Sequence, residues 1–222
     1  NMFGALEFAQ SMAAAGVQPI MGAQIELNDK AGRGDVVLLA QNEIGYVNLS
    51  QLLSKILLSS DAAQTPACAV EDLAVYSDGL ILLTGGALGG FVGGPAGDGR
   101  ANLAQQRIKS LAEIVPGRLY IELQRHGLPS EFNGEPHLLG YADHMNLPLV
   151  ATNDCRFEDP TMSQPHDTLL CIGTSRKISE QDRPRYSPEH YFKTSSQMNE
   201  LFQDIPEAIE NTLVISKRCS VM

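Results

Sequence analysis

Leu147-Pro148-Leu149-Val150-Ala151-Thr152-Asn153-Asp154-Cys155-Arg156-Phe157 is the stretch on which the fold turns. Leu147 to Val150 is an apolar run of strand length, and it opens into a hydroxyl, an amide and a carboxylate. That order of residues is expected where a parallel strand leaves the core for its loop. In barrel-like α/β folds, catalytic groups gather at this rim. Alternate residues of an extended chain point the same way, so a carboxylate and the residue two positions on form a natural pair of metal ligands. Here the pair is Asp154 and Arg156. A guanidinium stays protonated and has no lone pair to give to a metal. The strand end has the placement of an active site and the wrong chemistry for one.

Outward from this strand, apolar runs alternate with helical periodicity. Strands are expected over Ile20 to Leu27, Val36 to Ala40, Leu80 to Leu83 and Leu119 to Leu123, with a turn at Asn28 to Asp35. Helices are expected over Phe3 to Ala15, Asn48 to Leu58, Val70 to Tyr76, Arg100 to Ile114, Pro136 to Met145, Pro165 to Ile172 and Ser195 to Phe202. Gly16 followed by Pro19 ends the first of these. Asp204-Ile205-Pro206-Glu207 reads as a capping box for a last helix, with Asp204 as the cap. Strands apolar on both faces, alternating with helices, give an α/β class with a mainly parallel sheet in a single domain over residues 1–222.

Composition narrows the function classes. At 222 residues and 43% hydrophobic, the chain can bury one sizeable core. No apolar run has the length to span a bilayer, so no membrane partner is expected and the location reads as cytoplasmic. The four cysteines have no C-x-x-C pair and read as reduced, partly buried small side chains. A net charge of −10 opposes binding of a phosphate backbone by the domain as a whole. The only basic cluster is Arg176-Lys177 with Arg183-Pro184-Arg185, which reads as a solvated or ion-pairing loop. The run Thr84 to Pro95 is rich in glycine but has neither the lysine nor the spacing of a phosphate loop, and it reads as a flexible rim loop. His166 reads as capping or packing, and His137, His144 and His190 as solvated.

Several pieces in order carry a resemblance. They are Phe3-Gly4-Ala5-Leu6-Glu7-Phe8 with Gly16 to Gly22, Gly45 to Leu49 with Leu53-Ser54-Lys55, Asp78 to Gly85, Tyr120 to Gln124, Ala151 to Asp154, and Met198 to Cys219. Together they resemble the PHP domain (polymerase and histidinol phosphatase) of bacterial DNA polymerase III alpha subunits. The resemblance implies a distorted (β/α)7 barrel, here lacking the first strand-helix-strand of the family. On that reading the chain is a fragment, and Asn1 is either native or a tag remnant. A barrel missing its first strands exposes unpaired backbone groups, so self-association through the truncated edge is expected.

The resemblance also assigns ligand positions. His126 and Asp154 match family metal ligands and are read as vestigial. Gln24 stands where metal-bearing relatives have Glu, Gly86 where they have Cys or His, and Arg156 replaces the last ligand. An amide brings no charge to a divalent cluster, and glycine has no donor to offer. Two ligands are poor support for a catalytic metal, which needs three or more protein donors. Arg156 could then supply the missing positive charge and pair with Asp154. No cofactor and no catalytic residue is expected in the fragment. Zinc or manganese would bind only if the site were intact, and magnesium would serve the parent polymerase. The implied role is a scaffold in DNA replication, docking the proofreading exonuclease subunit and bracing the remaining polymerase domains, with DNA met through the parent protein. The alternatives are an active PHP phosphoesterase or 3′–5′ exonuclease, and a stand-alone histidinol-phosphatase-like enzyme.

Overall fold

The computed structural model describes residues 2–59 and 65–221; Asn1 lies outside them. Its strands are β1 (Gly22–Asp29), β2 (Gly32–Ala40), β3 (Cys68–Ala69), β4 (Leu80–Leu83), β5 (Leu119–Leu123) and β6 (Leu149–Ala151). Its helices are α1 (Ala5–Ala14), α2 (Glu43–Ser59), α3 (Val70–Val75), α4 (Gly93–Gly97), α5 (Ala101–Ile114), α6 (Pro129–Met145), α7 (Ser163–Gly173), α8 (Ser195–Leu201) and α9 (Pro206–Arg218). The described strands form one sheet in the order β3-β1-β2-β4-β5-β6. β1 with β3, β4 with β5, and β5 with β6 are parallel. β2 runs antiparallel to both β1 and β4, so the sheet is mixed and mainly parallel.

The parallel half follows directly from the sequence. All four residues of β4 and all five of β5 are buried, because side chains on both faces of these strands meet apolar partners. Leu80, Leu82, Leu119, Ile121, Leu123, Leu149 and Ala151 join the main core with Leu49 and Leu52 of α2, Ile108 and Leu111 of α5, and Phe202. Ile81, Leu83, Tyr120 and Val150 point the other way and meet Ile215 and Cys219 at the end of α9. Arg107 ties α5 to the hairpin. It is 4% exposed, donates from Nε and Nη2 to the Asp29 carboxylate at 2.8 Å each, and lies over the Phe91 ring at 3.9 Å.

Four local expectations are corrected. The turn at 28–35 is shorter than its composition suggests: β2 begins at Gly32 and includes Gly34, where a Cβ would come to 2.5 Å from the Phe91 backbone, so glycine is required at that point of the strand. The glycine-rich run does lie at the rim, but most of it is packed rather than open to solvent. Gly85, Gly86, Gly90 and all of α4 are buried, and glycine serves close backbone approach there, as where Gly97 meets Ser130. Helix α6 starts at Pro129, not Pro136. Glu131 accepts the Leu128 N–H, a capping contact that fixes the true start, and Pro136 is carried inside the helix on its exposed side. Asp204 does not cap α9; the N-cap is Ile205, and the Asp204 carboxylate is drawn to Arg125.

Candidate functional site

β4, β5 and β6 end side by side, and their C-terminal loops meet the β1–β2 hairpin around a cavity of about 280 Å³. Gln24 comes from β1 and Asp35 from β2; Gly85 and Gly86 follow β4, Gln124 follows β5, and Thr152, Asp154 and Arg156 follow β6. Tyr186 closes one side. The sequence positions Gln24, Gly86, Asp154 and Arg156 are therefore brought together, and His126 is not among the lining residues.

Arg156 lies at the exposed rim of the cavity with its guanidinium turned to Asp154. Its Nη2 donates to Asp154 Oδ2 at 2.8 Å and its Nε to the same oxygen at 3.2 Å, while the guanidinium lies 4.6 Å from the centre of the Tyr186 ring. Asp154 holds a φ of +33°, a conformation disfavoured for a side chain with a Cβ and one found at functional sites. Asp35, half-buried beside this pair, has its carboxyl pushed up by burial and by the Asp154 charge. A hydrogen bond from Gln24 and the Arg156 charge partly offset that rise.

Glu122 is the buried acid beneath the cavity, 3% exposed and placed inside the apolar strand β5. Its Oε1 accepts from Thr152 Oγ1 and, at 3.0 Å, from Gln124 Nε2; its Oε2 accepts the Gly85 N–H at 3.0 Å. Burial pushes its carboxyl up against those three bonds. Gln124 Nε2 also donates to Thr152 Oγ1 at 3.1 Å. The Gln124 amide occupies the space next to Gly86. A Cβ built at Gly86 would collide with its Oε1 and Cδ and lie 2.9 Å from its Nε2.

His126 belongs to a second, buried cluster. Its Nδ1 meets Glu131 Oε1 at 2.7 Å and its Nε2 meets the Asn153 carbonyl at 2.9 Å, so both ring nitrogens are engaged. Glu131 Oε2 accepts the N–H groups of His126 and Leu128. Burial opposes the charged carboxylate, but the His126 ring and these N–H groups outweigh it and hold the carboxyl below its usual range. The His190 ring stacks on His126 at 3.7 Å and 8°. The expectation that His190 is solvated is thus corrected: it is 1% exposed. Around it, residues 187–193 are strapped to the β6 strand end. Arg156 N–H donates to the His190 carbonyl at 2.8 Å, and Asn153 Nδ2 to the Tyr191 carbonyl at 2.6 Å.

A divalent metal does not fit this donor set. Position 24 offers a neutral amide that bonds to Asp35, position 86 offers nothing, Asp154 is paired to a guanidinium, both Glu122 oxygens accept protein hydrogen bonds, and both His126 nitrogens have protein partners. Among the described residues no group of three or more His, Cys, Asp or Glu side chains is arranged to hold a metal ion. The basic cluster turns on its own neighbours: Arg183 pairs with Asp167, Arg176 with Glu180 at 3.1 Å, and Arg185 Nη2 donates to the Glu180 carbonyl. Cys68, Cys171 and Cys219 are free and buried, while Cys155 is exposed, against expectation, because it sits in the rim loop. Asp35, Glu122, Gln124 and Tyr186 were missed as site residues. Only Glu122, an acid inside an apolar strand, carried a signal for itself.

A family profile for the PHP domain matches residues 1–126. Over its whole length the chain is 41% identical to a DNA polymerase III subunit alpha of Caulobacter vibrioides, spanning 20% of that protein. It is 37% identical to the subunit of the same name from Pseudomonas aeruginosa and 36% identical to that from Escherichia coli K12, again over the whole chain and 19% of each relative. The chain thus spans about a fifth of the length of the curated relatives it matches. No helix among the described residues is long and apolar enough to cross a membrane.

Proposed function

We propose, on the premise that this chain belongs to the PHP domain family, that it is the PHP region of a bacterial replicative DNA polymerase III alpha subunit and works there as a catalytically silent scaffold. The observation that carries this reading is the ligand cavity itself. The Arg156–Asp154 pair, the Gly86–Gln124 contact and the neutral Gln24 leave a stable, self-bonded polar network where a hydrolytic PHP enzyme needs open metal coordination.

On this reading the parent protein is a DNA-directed DNA polymerase acting in the bacterial cytoplasm. Its nucleotidyl transfer is magnesium-dependent and is carried by carboxylates outside this chain. The domain docks the proofreading exonuclease subunit and braces the remaining polymerase domains, and DNA is met by the parent rather than by this acidic surface. A net charge of −10 supports a protein partner over a phosphate backbone. The finer architecture belongs to the same proposal: a distorted (β/α)7 barrel completed by strands beyond those described. β3 and β6, the end strands of the described sheet, are then the edges through which an isolated chain self-associates. The hydrolytic alternatives require the donors that Gln24, Gly86 and Arg156 lack.

Size-exclusion chromatography of this chain with the purified proofreading exonuclease subunit tests the scaffold role. A co-eluting complex is expected. Separate elution at tens of micromolar of each, with the chain folded, would count against it.

A further inference from the structure

We infer that the cavity is closed to a metal ion from within, by two side chains that together replace one: Gln124 fills the space beside Gly86, and Arg156 supplies the fixed positive charge on Asp154. The inference rests on the scaffold reading and states what has taken the metal's place in it. A metal in an acidic pocket does two jobs. It occupies volume between its ligands, and it neutralises their charge. Here the jobs are divided.

The volume is held by the amide. The three atoms nearest to a Cβ built at Gly86 all belong to the Gln124 side chain. Gly86 is not among the glycines with positive φ, so its backbone would accept a side chain. What stands in its way is the end of the Gln124 side chain, which can shift only by giving up its bonds to Glu122 and Thr152. Moving it aside breaks both bonds and strips the buried Glu122 carboxylate of one donor.

The charge is held by the guanidinium. Asp154, Asp35 and Glu122 all line the cavity, and among the described residues Arg156 is the sole basic one in the lining. It binds Asp154 through two nitrogens and is braced by the Tyr186 face. The backbone N–H of Arg156 is tied to His190, so the strap that covers the buried cluster also fixes where this cation stands.

Thermal melting of Gly86→Ala, Gln124→Ala and the double variant separates matched replacement from coincidence. Gly86→Ala should lower the melting temperature by roughly 5 °C, and the double variant should melt no lower than Gln124→Ala alone. Additive losses would overturn the Gly86–Gln124 half. For the other half, Arg156→Lys keeps the charge and Arg156→Gln removes it. Arg156→Lys, which keeps the charge but not the two-nitrogen contact or the Tyr186 stacking, should lose less of the melting temperature than Arg156→Gln; equal melting of the two would overturn the charge assignment. Zinc that raises the melting temperature of the unaltered chain would contradict the scaffold reading as well. Failure of the variant series with zinc inert would sink only this inference.

Discussion

His190 should contribute a loss of stability to this domain on acidification. It is buried with its ring on that of His126, and burial, with the His126 charge next in weight, pulls its pKa from 6.5 to about 4. The Ser187 carbonyl and the charges of Asp154 and Glu131 act the other way and are outweighed. In the unfolded chain the same ring takes its proton near 6.5. The unfolded state therefore binds more protons between pH 6.5 and 4, and stability present above that window is lost as the pH falls through it. Between pH 7 and pH 5 the loss from this residue alone works out at about 2 kcal/mol, or roughly 4–8 °C in melting temperature for a chain of this size.

Other groups tilt the same profile. Asp35 and Glu122, whose carboxyls are pushed up, favour the folded state as the pH falls, whereas Glu131, held low, loses its contribution only below its ordinary range. The clean measurement is therefore a difference. His190→Phe keeps a ring against His126 and Tyr186 but takes no proton, so its melting temperature should fall less between pH 7 and pH 5 than that of the unaltered chain. Parallel profiles for the two proteins would refute the reasoning.

Three further perturbations probe the frame that positions the site. Arg107→Met leaves Asp29 without its bidentate partner and removes the tie between α5 and the hairpin; a loss of about 3 kcal/mol is expected in urea unfolding. Gly45→Ala would drive a Cβ into the carbonyl of Gly79, a backbone atom that cannot step aside; about 2–4 kcal/mol should be lost, read by the same titration. Phe202, fully buried in the main core, should cost about 3–5 kcal/mol as Phe202→Ala.

Much of the fold was legible where apolar runs and helix periods are unambiguous, as in β4, β5 and α5. The errors fall where a tertiary contact overrides a local signal. Pro136 looked like a helix start, but Glu131 caps the chain earlier, and an exposed proline can be carried within a helix. Asp204 has the right spacing for a cap, yet Arg125 is a stronger partner: it grips Asp204 on one side and Glu135 on the other, and holds the Asp204 carboxyl below its usual range. Glycines between Thr84 and Pro95 looked mobile because composition cannot distinguish freedom from close packing. The cavity itself was half legible. Gln24, Gly86, Asp154 and Arg156 were named before the structure brought them together, whereas Gln124 and Asp35 are ordinary polar residues until the strands are placed side by side. His126 was separated from them because Glu131, which claims its ring, lies five positions on in a helix whose start had been misplaced.

Whether this cavity takes a metal decides between a scaffold and a hydrolytic site. Elemental analysis of the purified chain, followed by calorimetric titration with zinc and manganese, asks that directly. No stoichiometric metal and no saturable heat at micromolar concentrations are expected. One equivalent of tightly bound zinc or manganese, abolished by Asp154→Ala, would contradict the scaffold reading.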